Sequence, residues 1–160
     1  MYTTSKYLQY ILICLVVLFS VSCRSPKRAV TQLTRTEIPA GMKGQHPEYF
    51  MGITPCADCS GIRMDLFLGT GISPNGGHFE LHETYLGKGD KAFVSKGNWA
   101  YINSKEYPGL KIVQLFSDKE TKDQRFFLRL KNDQLKMLTN DMKTIESDLN
   151  YILELENQQD

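Results

Sequence analysis

Residues 62–86 decide the fold, because in IRMDLFLGTGISPNGGHFELHETYL apolar and polar side chains alternate with a period of two. The even-numbered residues of IRMDLFL are apolar, whereas positions 63 and 65 are charged. In HFELHETYL the same alternation places Phe79, Leu81 and Tyr85 on one face. A period of two is typical of a half-buried β-strand. The glycine-rich stretch around Pro74 predicts a turn that joins the two strands.

Short segments of the same kind continue to the C-terminus: AFVSKGNWAYI, KIVQLF, RFFLRL, QLKMLT and NYILEL. The connections between them, such as KNDQ at 131–134, are too short for the crossover helices of a parallel sheet. We therefore expect an all-β domain with seven or eight antiparallel strands. A small β-barrel is favoured because closure removes exposed strand edges. A two-sheet β-sandwich is the alternative.

Composition and charge restrict the class of protein. The chain has 160 residues, with 19 Lys+Arg against 18 Asp+Glu, and this balance argues against a nucleic-acid partner. Residues 7–21 carry no charge and follow Lys6. This run is shorter than the roughly 20 apolar residues that a membrane-spanning helix needs. It is typical of a secretory signal, which we predict over residues 1–22.

The end of this signal, FSVSC, resembles a bacterial lipoprotein signal. The resemblance implies that Cys23 is lipidated and becomes the mature N-terminus, although Ser20 stands where such signals usually carry an aliphatic residue. The following segment is polar, basic and without apolar periodicity. We therefore predict a lipid-anchored flexible linker over 23–45 and a barrel domain over 46–160.

Two of the four cysteines are left for the domain, since Cys14 lies in the signal and Cys23 is the lipidation site. The remaining pair, Cys56 and Cys59, lies in the segment PCADCSGI at 55–62. A thioredoxin-like redox pair is disfavoured because a period-two run, not a helix, follows Cys59.

Two interpretations of this pair stay open, a Cu(I) site and a disulfide, whereas a zinc site is disfavoured. A tetrahedral zinc site would need two further ligands, and the sequence has no second CxxC or HxxxH. Two thiolates with Met51 or Met64 as additional ligands suit Cu(I), a soft ion. In an oxidising compartment, a disulfide that closes the loop is the simpler expectation.

The sequence resembles the N-terminal domain of the NlpE envelope lipoproteins, which are associated with copper resistance and envelope stress. The resemblance rests on Gly52, PCADCSGI at 55–62, LFL at 66–68, ETYLGKGD at 83–90, KGNW at 96–99, LKML at 135–138 and LNYIL at 149–153. It implies a lipocalin-like barrel, anchored by lipid at the outer membrane and facing the periplasm or the cell surface.

The resemblance also implies a function in copper handling or in signalling envelope stress to a sensor protein in the inner membrane. Cys56 and Cys59 match the cysteine pair of the family motif. Longer members of the family have a second, C-terminal domain, so signalling that depends on that domain is not implied for this chain.

The alternative function is that of a carrier, in which Phe79, Leu81 and Trp99 line a barrel that holds a small apolar ligand. Enzymatic activity is not expected. The sequence offers no Ser-His-Asp arrangement and no phosphate loop, and Glu80 and Glu83 fall on opposite faces of a strand. No cofactor is required, and Cu(I) is the one metal that the pattern favours.

Overall fold

The computed structural model describes residues 37–43, 46–70, 73, 75–89, 92–118 and 124–157. The predicted signal, Cys23 and most of the predicted linker lie outside the described residues. The unit that contains the barrel spans residues 36–160. Within the described ranges, no helix has the length and apolar character needed to cross a membrane.

Eight β-strands follow a single turn of 3-10 helix at Ala40–Met42. Their bounds are β1 Glu48–Thr54, β2 Ile62–Leu68, β3 Gly76–Tyr85, β4 Ala92–Asn103, β5 Lys111–Ser117, β6 Gln124–Arg129, β7 Leu135–Met137 and β8 Ile152–Glu156. The turn at 131–134 joins β6 to β7, with the Leu130 amide donating to the Gln134 carbonyl at 2.9 Å. The predicted hairpin is thereby confirmed.

The strands form a closed antiparallel barrel in which each strand pairs with the next along the chain. Closure is made by β1 and β8, where Phe50 lies opposite Leu155. The predicted barrel is confirmed, and the β-sandwich alternative is wrong, because β1 pairs with both β2 and β8 and no strand edge is left between two sheets. Antiparallel order follows from the short connections.

The predicted inward faces of the strands are confirmed. Phe79 and Leu81 lie in one buried cluster with Trp99, and the even-numbered residues of β2 point into the same interior. The buried members of this interior cluster are Phe50, Met64, Leu66, Leu68, Phe79, Leu81, Trp99, Val113, Leu115, Phe127, Leu135 and Leu153. Because strand side chains alternate, each strand contributes every second residue to this core.

Arginines from one strand form ion pairs towards the two ends of the barrel. Arg125 and Arg129 flank the buried Phe127 at positions of equal parity on β6, so they point to the interior side. Arg125 makes two hydrogen bonds to the Glu83 carboxylate, at 2.9 and 3.2 Å. Arg129 makes two to Glu48, both at 2.7 Å. The two ion pairs therefore connect β6 to β3 and to β1 across the barrel.

The segment 37–43, called the strap below, packs against the outer wall of β1 and β2. Its Met42 is 4% exposed and forms a cluster with Tyr49 and Phe67. Part of the segment predicted as a flexible linker is therefore packed against the barrel. The apolar side chains at positions 38 and 42 give the reason, since burying them against two aromatic rings removes apolar surface from water.

Candidate functional site

The loop between β1 and β2, residues 55–61, contains the cysteine pair and lies at the end of the barrel opposite to the start of β1. We call this end the disulfide-loop end, and it also carries the described residues that follow β3 and β7. Thr54 at the end of β1 donates its hydroxyl to the Ile62 carbonyl at 3.3 Å. The two strands therefore hold the base of the loop closed.

Cys56 and Cys59 form a disulfide, with an S–S distance of 2.02 Å and a Cα–Cα distance of 5.3 Å. Both cysteines are half-buried, whereas Ala57 and Asp58 between them are exposed. The structure thus decides between the two interpretations that the sequence left open, in favour of the disulfide. This bond is compatible with an oxidising compartment.

The loop is attached to the turn that follows β3. The Ser60 amide donates to the Leu86 carbonyl at 3.1 Å, and the Leu86 amide donates to the Gly61 carbonyl at 3.0 Å. Lys88 of the same turn forms an ion pair with Asp58. The hydrogen bond and the charge of Lys88 lower the pKa of the Asp58 carboxyl. Backbone pairing therefore fixes the loop, and an exposed ion pair adds to it.

Gly61 ends the loop in a conformation that favours glycine. Its φ is 148°, and a Cβ at this position would lie 2.7 Å from Cγ2 of Ile53. Residues with a side chain rarely adopt positive φ. The glycine in the motif CSGI thus lets the chain leave the disulfide loop and enter β2 without a clash.

Three potential ligand atoms lie together in this loop. The sulfurs of Cys56 and Cys59 and a carboxylate oxygen of Asp58 are all within 4.8 Å of one another. The two methionines predicted as additional ligands lie on opposite faces of the barrel wall. Met64 points into the core and is 1% exposed, whereas Met51 packs on the outer face beside Tyr49.

The disulfide is expected to make a modest contribution to stability. Replacing Cys56 and Cys59 together by serine should lower the free energy of unfolding by about 2 kcal/mol, since the bond closes a very short loop in the unfolded chain. Urea unfolding followed by tryptophan fluorescence measures this change. Replacing exposed Ala57 by serine is the matched control and should leave the midpoint unchanged. A loss above about 5 kcal/mol would contradict a locally acting bond.

The three residues proposed to line a ligand cavity lie packed in the interior cluster of the barrel. Phe79, Leu81 and Trp99 are 3%, 1% and 5% exposed. The Trp99 indole N–H donates to the Gly69 carbonyl at 3.0 Å, and the ring packs edge-on against Tyr101. Side chains that pack against one another in this way leave the carrier function without support from the described interior.

The polar residues considered for catalysis lie on different faces. Glu80 lies on the outer wall, with one oxygen 2.7 Å from Nε2 of His82 and the other paired to Lys96 at 2.8 Å. Glu83 points inward and is bound by Arg125. The prediction that the two carboxylates face opposite sides is confirmed. His82 is half-buried and packs edge-on against Phe67.

Acid should weaken the barrel partly through Glu80. Burial raises the pKa of this carboxyl, but hydrogen bonds and charge from Lys96 and His82 outweigh burial and lower it below its ordinary value. A carboxyl with a lowered pKa stabilises the fold above the pKa of the unfolded chain, about 4.3, and loses that contribution as pH falls through its folded pKa.

We therefore expect the Glu80→Gln variant to lose less stability than the wild type between pH 6 and about 3. Chemical denaturation at each pH measures the difference. The matched control is the exposed Glu146→Gln, for which the pH dependence should follow the wild type. Parallel curves for Glu80→Gln and the wild type would contradict this assignment.

Sequence reasoning missed the residues that hold the loop and the ends of the barrel. Alternation in RFFLRL places Arg125, Phe127 and Arg129 on one face, and this was a readable signal for charges on an inward face. The pairing of Asp58 with Lys88 had no such signal, because the two residues are joined only when β2 and β3 align.

The fold and the loop define a class: a small, closed, eight-stranded barrel with a disulfide-closed loop at one end. Residues 50–148 match the family model described as the NlpE N-terminal domain. The chain belongs to the NlpE N-terminal domain family.

The chain is also similar to individual proteins and solved structures. Lipoprotein NlpE of Escherichia coli (strain K12) is 34% identical over 110 residues, which are 68% of this chain and 40% of that protein. The crystal structure of the Cpx pathway activator NlpE from Escherichia coli is 33% identical, with a TM-score of 0.48, over 71% of this chain and 52% of that chain. The crystal structure of a putative lipoprotein from Shewanella oneidensis is 28% identical, with a TM-score of 0.48, over 70% of this chain and 90% of that chain.

The chain thus spans about half the length, or less, of the Escherichia coli relatives that it matches. None of these relatives is described as an enzyme. The match to the family model includes the disulfide loop and all strands from β2 to β7.

Proposed function

We propose that this chain is a lipid-anchored lipoprotein of the bacterial cell envelope that activates an envelope-stress response through a sensor protein. The observation that carries the proposal is the family membership, together with the description of one relative as a Cpx pathway activator. The lipoprotein description of two relatives supports an anchor at Cys23, which follows the predicted signal. A non-enzymatic role is part of the proposal.

A reporter assay tests the signalling function. The full chain is produced in bacteria that carry a transcriptional reporter of the Cpx pathway, and we expect reporter output to rise several-fold above that of cells with an empty vector. Cys23→Ala should abolish the rise at equal protein level, whereas Cys14→Ala, a cysteine in the predicted signal, should leave it unchanged. Full output from Cys23→Ala would contradict a role for the lipid anchor, and no output from the wild type would contradict activation by this chain.

The location and redox state have a direct test. Mass spectrometry of the membrane-extracted protein should show a chain that begins at Cys23 and carries acyl groups. The peptide with Cys56 and Cys59 should be about 2 Da lighter than its reduced form, because a disulfide has two hydrogens fewer than two thiols. An unprocessed N-terminus would contradict the predicted outer-membrane anchoring.

Copper handling is the second candidate function, and the grouping of Cys56, Asp58 and Cys59 favours it. The donor set fits Cu(I) only after the disulfide is reduced by an added thiol reagent, two equivalents of which convert it into two cysteine thiols and are themselves oxidised to a disulfide. Two thiolates suit a soft ion, whereas the Asp58 carboxylate is a hard ligand. Met51 and Met64 cannot both reach one ion from the same face, since one lies outside the wall and the other in the core.

A titration separates the two states of the loop. Cu(I) is added to the protein with the loop reduced, to the oxidised protein and to the Cys56→Ser, Cys59→Ser variant, with a chromophoric chelator as competitor. We expect the reduced wild type to bind at least tenfold more tightly than the other two samples. Equal binding by all three would contradict a copper site in this loop.

A further inference from the structure

We propose that Asn75, in the connection between β2 and β3, is a site of spontaneous covalent modification to aspartate and isoaspartate, and that the isoaspartate product loosens the pairing of β3 with β4. Asn75 is the only asparagine of the chain that is followed by glycine. Asparagine is among the chemically labile residues of proteins. The reaction needs only this connection and water, so it is independent of the lipid anchor, of copper and of signalling.

The fold requires glycine directly after Asn75. A Cβ at Gly76 would lie 2.5 Å from the Trp99 carbonyl oxygen, and that oxygen belongs to the paired strand β4. The main chain of a neighbouring strand cannot give way as a flexible side chain can. Because glycine has no side chain, its peptide nitrogen is unhindered. The barrel therefore keeps an unhindered nitrogen beside Asn75.

The side chain of Asn75 is free to reach that nitrogen. Asn75 is exposed, and every hydrogen bond described for it is made by its main chain. Its N–H donates to Oγ of Ser73 at 3.0 Å, and its carbonyl accepts from the Tyr101 N–H at 2.8 Å. The carboxamide thus gives up no described hydrogen bond when it rotates towards the following residue.

The nitrogen of Gly76 is held by a long hydrogen bond. Its N–H donates to the Ser73 carbonyl at 3.3 Å, whereas ordinary N–H···O bonds span about 2.7–3.2 Å. The short bond that ties the turn to β4 is made by the carbonyl of Asn75, not by this nitrogen. Little is therefore lost when the nitrogen leaves its acceptor to attack.

The chemistry is an exchange of ammonia for water. The Gly76 nitrogen loses its proton and attacks Cγ of Asn75. The N–Cγ bond forms, the Cγ–Nδ2 bond breaks, and ammonia leaves with the proton, so that a cyclic imide remains. Water then opens the imide at either carbonyl carbon. Opening at Cγ gives aspartate on the ordinary main chain, whereas opening at the other carbon gives isoaspartate, with an extra methylene in the main chain.

Other asparagines of the barrel lack this combination. Asn98 is exposed on β4 but is followed by the large side chain of Trp99. Asn132 lies in the exposed turn after β6, is followed by Asp133, and its Nδ2 donates to Gln134 at 2.6 Å. Both are as open to water as Asn75. They are therefore internal controls for exposure alone.

Ageing in labelled water tests the site. The membrane-extracted full chain is incubated in mildly alkaline buffer made with water labelled with oxygen-18, and peptides are quantified by mass spectrometry. The Asn75 peptide should gain about 3 Da, because a hydroxyl that carries the label replaces the amino group. We expect this conversion to be about tenfold or more faster than that of Asn98 and Asn132.

A variant and an unfolded sample complete this test. Asn75→Gln should show no mass gain at position 75, since its longer side chain closes the larger ring slowly. A sample unfolded in urea gives the rate without the fold. Conversion of Asn75 in urea but not in the folded protein would show that the turn protects the residue. Equal rates at the three asparagines would show that the glycine and the free side chain have no effect. Either result contradicts the site.

The effect on strand pairing is measured at Tyr101. An isoaspartate-specific methyltransferase labels and quantifies the rerouted fraction of the aged protein. Freshly purified Asn75→Asp is the matched control, because it has the same charge on an ordinary main chain. Amide exchange of Tyr101 should be about tenfold or more faster in the isoaspartate fraction than in this variant, since its acceptor is the Asn75 carbonyl. Equal exchange would contradict the loosening of β3 from β4.

Discussion

Replacing Arg129 by methionine is expected to lower the free energy of unfolding by about 3 kcal/mol. Arg129 is 18% exposed and binds Glu48 through two hydrogen bonds, while its Nη1 also donates to the Tyr101 hydroxyl at 2.6 Å. Without Arg129, the Glu48 carboxylate loses its bidentate partner near the barrel interior. The hydrogen bond to Glu48 raises the pKa of Arg129, so the guanidinium stays charged over the whole working pH range.

Urea unfolding measures this loss, and the single tryptophan, Trp99, reports it from the barrel interior. Arg129→Lys should recover only part of the stability, since an ammonium group cannot bind both carboxylate oxygens in the planar geometry of a guanidinium. The control is Lys131→Met in the exposed turn that follows β6, with an expected change within about 0.5 kcal/mol. A loss below about 1 kcal/mol for Arg129→Met would show that water screens the pair as at an open surface.

Replacing Gly97 by alanine is expected to cost a similar amount, about 3 kcal/mol, through a clash instead of a lost bond. A Cβ on Gly97 would lie 1.9 Å from the Phe116 carbonyl oxygen and 3.0 Å from the Phe79 ring. The carbonyl belongs to the neighbouring strand β5, so the clash can be relieved only by parting two paired strands. A ring could rotate away, but a backbone oxygen in a closed barrel cannot.

Thermal and urea unfolding both measure this cost. The matched control is Asn98→Ala on the same strand, where the side chain is exposed and points outward. The control should change the free energy of unfolding by about 0.5 kcal/mol or less. A Gly97→Ala variant as stable as the wild type would mean that β4 and β5 can separate locally at low cost. It would then also expose Ser117 and its neighbours to faster amide exchange.

Most of the strands could be predicted from the sequence because one physical rule governs them. A strand with one face in the core must alternate, and the residues of β2 and β3 alternate clearly enough to give both their direction and their inward faces. Barrel closure was inferred from the cost of exposed edges, and the pairing of β1 with β8 confirms it.

The remaining features depend on which residues of different segments come close together. The alternation of apolar and polar residues within one strand does not give this information. The spacing of Arg125 and Arg129 contains a signal for an inward face that was missed, and their partners, Glu83 and Glu48, follow only from the stagger of strands around the barrel. The strap escaped prediction because a segment of seven residues, with a three-residue helical turn, is too short to show a period. The state of the cysteine loop was undecided because two cysteines at this spacing suit either a disulfide or a soft metal ion.

The pairing of the first strand with the last also sets a rule for how this barrel can form. Hydrogen bonds between β1 and β8 join segments at opposite ends of the domain, so the cylinder cannot close until its final strand has been delivered. A chain that folds as it emerges N-terminus first therefore carries two unpaired strand edges until β8 is available. Such a chain is vulnerable to aggregation until β8 pairs with β1. A partner that binds the free edge of β1 before closure would raise the yield of folded protein without binding the folded barrel.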